Sequence, residues 1–118
     1  MTNIKPEFGV SFDGATVEQR QIYLWDAKQQ PPLVLRVHCD VLKDALNQPT
    51  LSDEECRFLA DHNRNVLADL AGKLREGALD RMGRAALEAT LNDMRPIANR
   101  LVADTLSERR RLLHSAGG

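Results

Sequence analysis

Leu51 to Gly77 constrains this chain more than any other stretch, because both ends of an amphipathic helix are written into it. Ser52 followed three residues later by Glu55 makes a capping box, in which each side chain satisfies an amide that the first helical turn leaves free. Leu51 is placed to staple against Cys56. Cys56, Leu59, Leu67, Leu70 and Leu74 recur at three and four spacing, the stripe a helix turns toward a core, and Asn63 is the one polar slot in it. Glu76 and Gly77 close the pattern, with glycine at the left-handed cap. The spacing predicts a helix over 53–76, with strands and turns ahead of it and helices behind.

Ahead of it, Phe8 to Phe12 reads as a short strand stopped by the turn dipeptide Asp13-Gly14. Arg20 to Trp25 is rich in strand formers. Pro31 and Pro32 deny ladder donors to Asp26–Pro32, so that stretch reads as an extended turn. Leu33, Leu35, Val37 and Cys39 then alternate with Val34, Arg36 and His38, the period of a half-buried antiparallel strand, which predicts a hairpin over 20–39. Asp40 is positioned to cap a short helix, Val41–Asn47. Behind the long helix, Met82, Ala86, Leu87, Leu91 and Met94 keep helical spacing up to Pro96. With Asp93 as a cap, a last helix is expected from Met94 or Arg95 to about Leu113, and Ser115–Gly118 is expected to be disordered.

The fold class expected is therefore α+β: a small antiparallel sheet, made of the hairpin and the short N-terminal strand, packed by helix 53–76 and one or two C-terminal helices. With 118 residues the chain suits one domain, 1–118, with a sheet half at 7–39 and a helical half at 40–114. Hydrophobic residues make up 42% but aromatics only 4%, so aliphatic side chains must fill most of the core. Residues 1–78 hold nine basic against twelve acidic side chains and the remainder seven against five, far from the basic face of a typical nucleic-acid binder. Met1–Gly9 lacks the pattern of a secretory leader and no apolar run approaches a membrane span, so a cytoplasmic protein with no membrane partner is expected. Cys39 and Cys56 would there stay reduced.

Several positions give the chain a likeness to a known family. Ile22, Trp25 and Asp26, then Val37, Asp40 and Leu42, then Asn63, Arg64, Leu67, Lys73 and Gly77 follow in the order of a strand ending in an aromatic and acidic turn, a second strand, a short helix, and a helix with an Asn-Arg pair and a closing glycine. Over about residues 8–77 the chain resembles the domain of unknown function 1488 family, a bacterial family. The family places an aromatic three residues before the Asn, where this chain has Ala60, and a strand after the Gly, where this chain reads as helix. What the resemblance implies is a fold, since the family has no assigned activity.

Four groups of residues invite a chemical reading. Asn63 and Arg64 either satisfy neighbouring backbone and carboxylate groups or line a groove that recognises a ligand or partner carboxylate; the first is what buried polar groups usually do. His38, Cys39, Cys56 and His62 are zinc-ligand types, but His38 and Cys39 point to opposite faces of one strand and Cys56 and His62 lie about 240° apart around a helix, so no metal or cofactor is expected. A cysteine nucleophile meets the same geometric objection, so the chain is read as no enzyme. Arg109, Arg110 and Arg111, with His114 behind, complement a helix C-terminus or touch phosphates.

The reading that follows is a non-catalytic protein-binding module that self-associates as a homodimer through its C-terminal helices or docks on and modulates a larger assembly. Its binding residues would be Leu91, Ile97, Arg100 and Leu101 on the tail, with Arg64 and Trp25 nearer the hairpin, on the premise that the last two helices carry more apolar surface than one core absorbs. The alternative is a nucleic-acid-associated regulator using Arg109, Arg110 and Arg111.

Overall fold

A computed structural model describes residues 9–74 and 78–101. The chain is α+β, with one five-stranded sheet in the order β1-β2-β3-β5-β4. Strands β1 (Ala15–Glu18), β2 (Gln21–Asp26) and β3 (Leu33–His38) form an antiparallel meander. Helices α1 (Cys39–Leu46), α2 (Asp53–His62) and α3 (Arg64–Lys73) follow, then β4 (Ala78–Leu79) and β5 (Ala85–Ala89). β5 runs parallel to β3 and antiparallel to β4. Helix α4 (Leu91–Met94) and a 3₁₀ turn (Arg95–Arg100) complete the described chain.

Register assigns the sheet two unlike faces. Ile22 pairs with Val37 and Leu24 with Leu35, and across the parallel ladder Leu35 pairs with Leu87 and Val37 with Ala89. Directly paired residues share a face, so these side chains form one continuous apolar layer. It packs with Leu42, Cys56, Leu59, Leu67, Ala71 and Met94 from the helices in a single core, which leaves out Val34 on the other face. All the described helices thus cover one side. Full burial of each Leu or Ile in that layer contributes about 1.5–3 kcal/mol.

Local chemistry explains most of the boundaries. The hairpin turn between β1 and β2 consists of Gln19 and Arg20, both in the left-handed region (φ 50° and 63°), as the favoured two-residue turn demands. Arg20 is held there from two sides: its carbonyl accepts from the Cys39 N–H at 2.9 Å and its guanidinium pairs with Asp40. The Gln30–Pro31 peptide is cis. His38, rather than Asp40, caps α1, its Nδ1 accepting from the Asp40 N–H at 3.1 Å. The Ser52–Glu55 box is present with both of its hydrogen bonds, at 3.1 and 2.9 Å. β1 is an edge strand, and α2 covers part of its outer side: the Ala15 N–H donates to Asp61 and the Ala15 carbonyl accepts from Arg57.

Several sequence expectations give way. The first described strand is Ala15–Glu18; Phe8 lies outside the described residues, residues 9–12 have no regular structure, and Phe12 drops into the core from them. Over its described part, 53–74, the expected helix 53–76 is two helices, because Asn63 (φ −104°, ψ 25°) directs both its backbone N–H and its side-chain amide onto the Leu59 carbonyl, each at 2.9 Å. That competition within the ladder shifts the backbone off the helical path. Gly77 lies outside the described residues.

The largest departure is at 79–89, where a hairpin replaces the expected helix. Asp80 closes its turn by accepting from the N–H groups of Met82 and Arg84, both at 2.9 Å, and Gly83 supplies a positive φ of 74°. Thr90, not Asp93, caps α4, and the pair forms a second capping box. The expected division into a sheet half and a helical half therefore fails, since two of the five strands lie beyond residue 77. The last helix begins only as a 3₁₀ turn through Arg100, and its expected continuation past Leu101 lies outside the described residues, as does Ser115–Gly118.

Candidate functional site

The face of the sheet away from the helices carries a groove of about 510 Å³. Its floor comes from β1 and β2, which alternate between core and open face. Ile22 and Leu24 go inward, so Tyr23 and Trp25 go outward, about 7 Å apart along the strand. Thr16 lies directly opposite Tyr23 on β1, and Glu18 lies diagonally across from it. The β4–β5 turn brings Met82 and Arg84 to the far wall, and Pro32 closes the end. Met82 is 75% exposed although apolar.

The wall is rigidly built. Arg84 Nε donates to Asp80 Oδ2 at 2.8 Å while the Asp80 Oδ1 accepts two turn amides, and these hydrogen bonds hold the Asp80 carboxyl below the usual carboxylate range. The floor is anchored through Asp26, the residue after Trp25, which is only 2% exposed. Its carboxylate accepts from the N–H groups of Ser11 and Lys28, each at 3.0 Å, and from the Gln29 amide at 3.3 Å. Burial pushes that carboxyl up, but the Ser11 and Lys28 amides, the Gln29 amide and the Lys28 charge together bring it below its ordinary value. Beside the groove on the same face lies Arg36, opposite Tyr23 and paired with Glu88 on β5. Its Nε is buried and has no hydrogen-bond partner among the described residues.

Of the residues singled out by sequence, Trp25 alone lines the groove. Arg64 is exposed on α3 and stands 3.7 Å from Asp61, the carboxylate that holds β1. Asn63 is buried and bonded to Leu59, so the pair does not line the groove. Ile97 and Leu101 belong to the core, at 8% and 7% exposure, and Leu87 is fully enclosed within the sheet's inner layer. Among the described residues, Leu87, Ile97 and Leu101 of the apolar ridge expected on the C-terminal half are thus taken up by the subunit's own interior, and the part of that ridge past Leu101 lies outside the described residues. Leu91 is half-buried just past the end of β5, and Arg100 is exposed and pairs with Asp69 at 2.9 Å. Arg109, Arg110, Arg111 and His114 lie outside the described residues.

Of the zinc-type residues, Cys39 and Cys56 come together, with Cys56 Sγ 4.0 Å from the Cys39 carbonyl. His62 stacks on Phe58, His38 caps α1, and no cluster of three or more metal-ligating side chains occurs among the described residues. Cys39 and Cys56 are free thiols at zero exposure. Burial, followed by the nearby Cys56 and Asp53, pushes the Cys39 thiol up to about 12, and burial raises Cys56 too. Among the described residues, no helix is long and apolar enough to cross a membrane.

Tyr23, Thr16, Glu18, Met82 and Arg84 were not singled out by sequence. The usable signal was the phase of β2, whose two aromatics fall on the side opposite Ile22 and Leu24. Family models, curated proteins and solved structures were each compared with the chain, and none matches it.

Proposed function

We propose that this chain is a non-catalytic protein-binding module that docks on a larger partner through the open face of its sheet. The observation that carries the reading is the groove in which Tyr23, Trp25 and the exposed Met82 converge on a face the described helices leave bare. Large amphipathic aromatics and methionine are the side chains that anchor protein interfaces, since they offer contact area with few torsions to freeze. Both cysteine thiols have raised pKa values, which speaks against a thiol nucleophile.

The core already holds Ile97 and Leu101, which disfavours self-pairing through them. The test is selection from a displayed random-peptide library on the full chain, followed by affinity measurement of enriched peptides. Trp25→Ala and Met82→Asp should each weaken them at least tenfold, and Met82 is exposed enough that its replacement leaves the fold intact. Enriched peptides that bind both variants as tightly as wild type would place docking elsewhere and end the proposal.

A further inference from the structure

We infer that the groove receives a cationic side chain, lysine or arginine, of the partner polypeptide; this rests on the docking reading above and names the chemistry of its partner. Tyr23 and Trp25 are the only tyrosine and tryptophan of the chain, and they stand side by side on the same face of β2. Among the described residues, neither ring stacks on another ring or receives a cation of the chain itself. Aromatic faces carry a negative quadrupole that attracts ammonium and guanidinium groups, and tryptophan does so most strongly.

Charge on this face points the same way. Glu18 lines the groove diagonally across from Tyr23, within reach of a group seated over that ring, and among the described residues it makes no ion pair. Glu88 adds a second exposed carboxylate on β5, four residues beyond Arg84. Arg84 is already engaged, its Nε on Asp80, which makes the far wall a neutral pair. The remaining cation, Arg36, does not line the groove and lies between Tyr23 and Glu88 in register. Among the described residues that strand register places on the open face, Glu18 and Glu88 therefore stand against one uncommitted arginine, Arg36. A nucleic-acid backbone or an acidic peptide would bring phosphates or carboxylates onto Glu18.

The remaining lining suits the same occupant. A lysine or arginine side chain is an apolar stem with a charged head, and such stems lie along apolar surface while the head keeps polar contact. Met82, Pro32 and Ala27 provide the apolar wall, and the Thr16 hydroxyl, directly opposite Tyr23, is an acceptor beside Glu18. A groove of about 510 Å³ is roomy enough for that side chain with its flanking backbone.

Trp25 lies in the groove it would report on, so its emission follows binding without a label. The full chain would be titrated with acetylated, amidated hexalysine, hexaarginine, hexaglutamate and hexaserine at two salt concentrations. Saturable emission changes are expected from the two cationic peptides and none from hexaglutamate or hexaserine. Glu18→Gln should weaken the cationic peptides at least fivefold and Glu18→Lys further. Asp44→Asn, the same loss of one charge at an exposed site on α1, should stay within twofold of wild type. Binding of hexaglutamate, equal loss in Asp44→Asn and Glu18→Gln, or no binding by either cationic peptide would overturn the inference. The docking reading is judged separately: library peptides that require Trp25 and Met82 yet lack lysine and arginine would keep the groove and discard the cation.

Discussion

Replacing Asp26 with asparagine tests whether the groove floor depends on a buried carboxylate or merely on shape. One carboxylate oxygen accepts from Ser11 N–H and Gln29 Nε2, the other from Lys28 N–H, so every contact uses the side chain as an acceptor. An amide has one acceptor oxygen, so in either orientation its NH₂ group faces a donor. With 2% exposure, water cannot repair the conflict. Leaving such a group unsatisfied costs about 1–3 kcal/mol, and hydrogen bonds to a charged acceptor lie at the upper end, so we expect Asp26→Asn to lose about 2–3 kcal/mol at pH 7. For a domain of this size that lowers Tm by roughly 6–12 °C. The pH dependence gives a second reading of the same variant. The folded pKa of Asp26 is lowered, so its stabilisation is present in full above the unfolded value near 4 and is lost as pH falls through the folded value. Urea titrations followed by far-UV circular dichroism should show the deficit of the variant shrinking as pH drops below about 4. A variant within 0.5 kcal/mol of wild type at pH 7, on the order of the scatter for innocuous surface changes, would refute the reasoning. So would a deficit equal at pH 3 and pH 7.

Two further outcomes follow from burial. Leu101→Asp puts a carboxylate into a core position and should cost about 4 kcal/mol or more with no change in solution mass of the folded fraction, whereas Leu79→Asp, at 59% exposure, should stay within about 0.5 kcal/mol; equal thermal stability of the two variants would contradict the placement of Leu101. Cys39 and Cys56 should resist iodoacetamide at pH 8 in the native chain and react together across the urea transition, because at a pKa of about 12 only about one Cys39 in ten thousand is thiolate; stoichiometric native labelling within minutes, read by mass spectrometry, would show the thiols to be accessible.

How far the sequence discloses this fold depends on where local and tertiary preferences agree. The 20–39 hairpin and the Ser52 cap are legible because alternation at Leu33, Leu35 and Val37 and the Ser52–Glu55 spacing act over a few residues. Ala85–Ala89 misleads for the opposite reason. Ala, Leu and Glu favour helix, and Ala86, Leu87 and Leu91 supply its spacing, yet Ala85, Leu87 and Ala89 also alternate, and the parallel ladder with β3 selects that period. The turn at Gln19 and Arg20 carries none of the Asn-Gly chemistry that announces such turns and is held instead by contacts with Cys39 and Asp40, distant in sequence. The groove was half visible, through Trp25, but its far wall is contributed by the β4–β5 turn, a feature invisible while that stretch reads as helix.

The parallel pairing of β3 with β5 has a consequence for synthesis. Leu33 is hydrogen-bonded within a ladder to a strand that begins at Ala85, so on the ribosome the meander emerges long before its last neighbour exists. Until that neighbour is translated, one border of β3 offers a row of bare amides and carbonyls. The nascent protein must shelter them, and fragments ending short of Ala85 carry that adhesive border permanently.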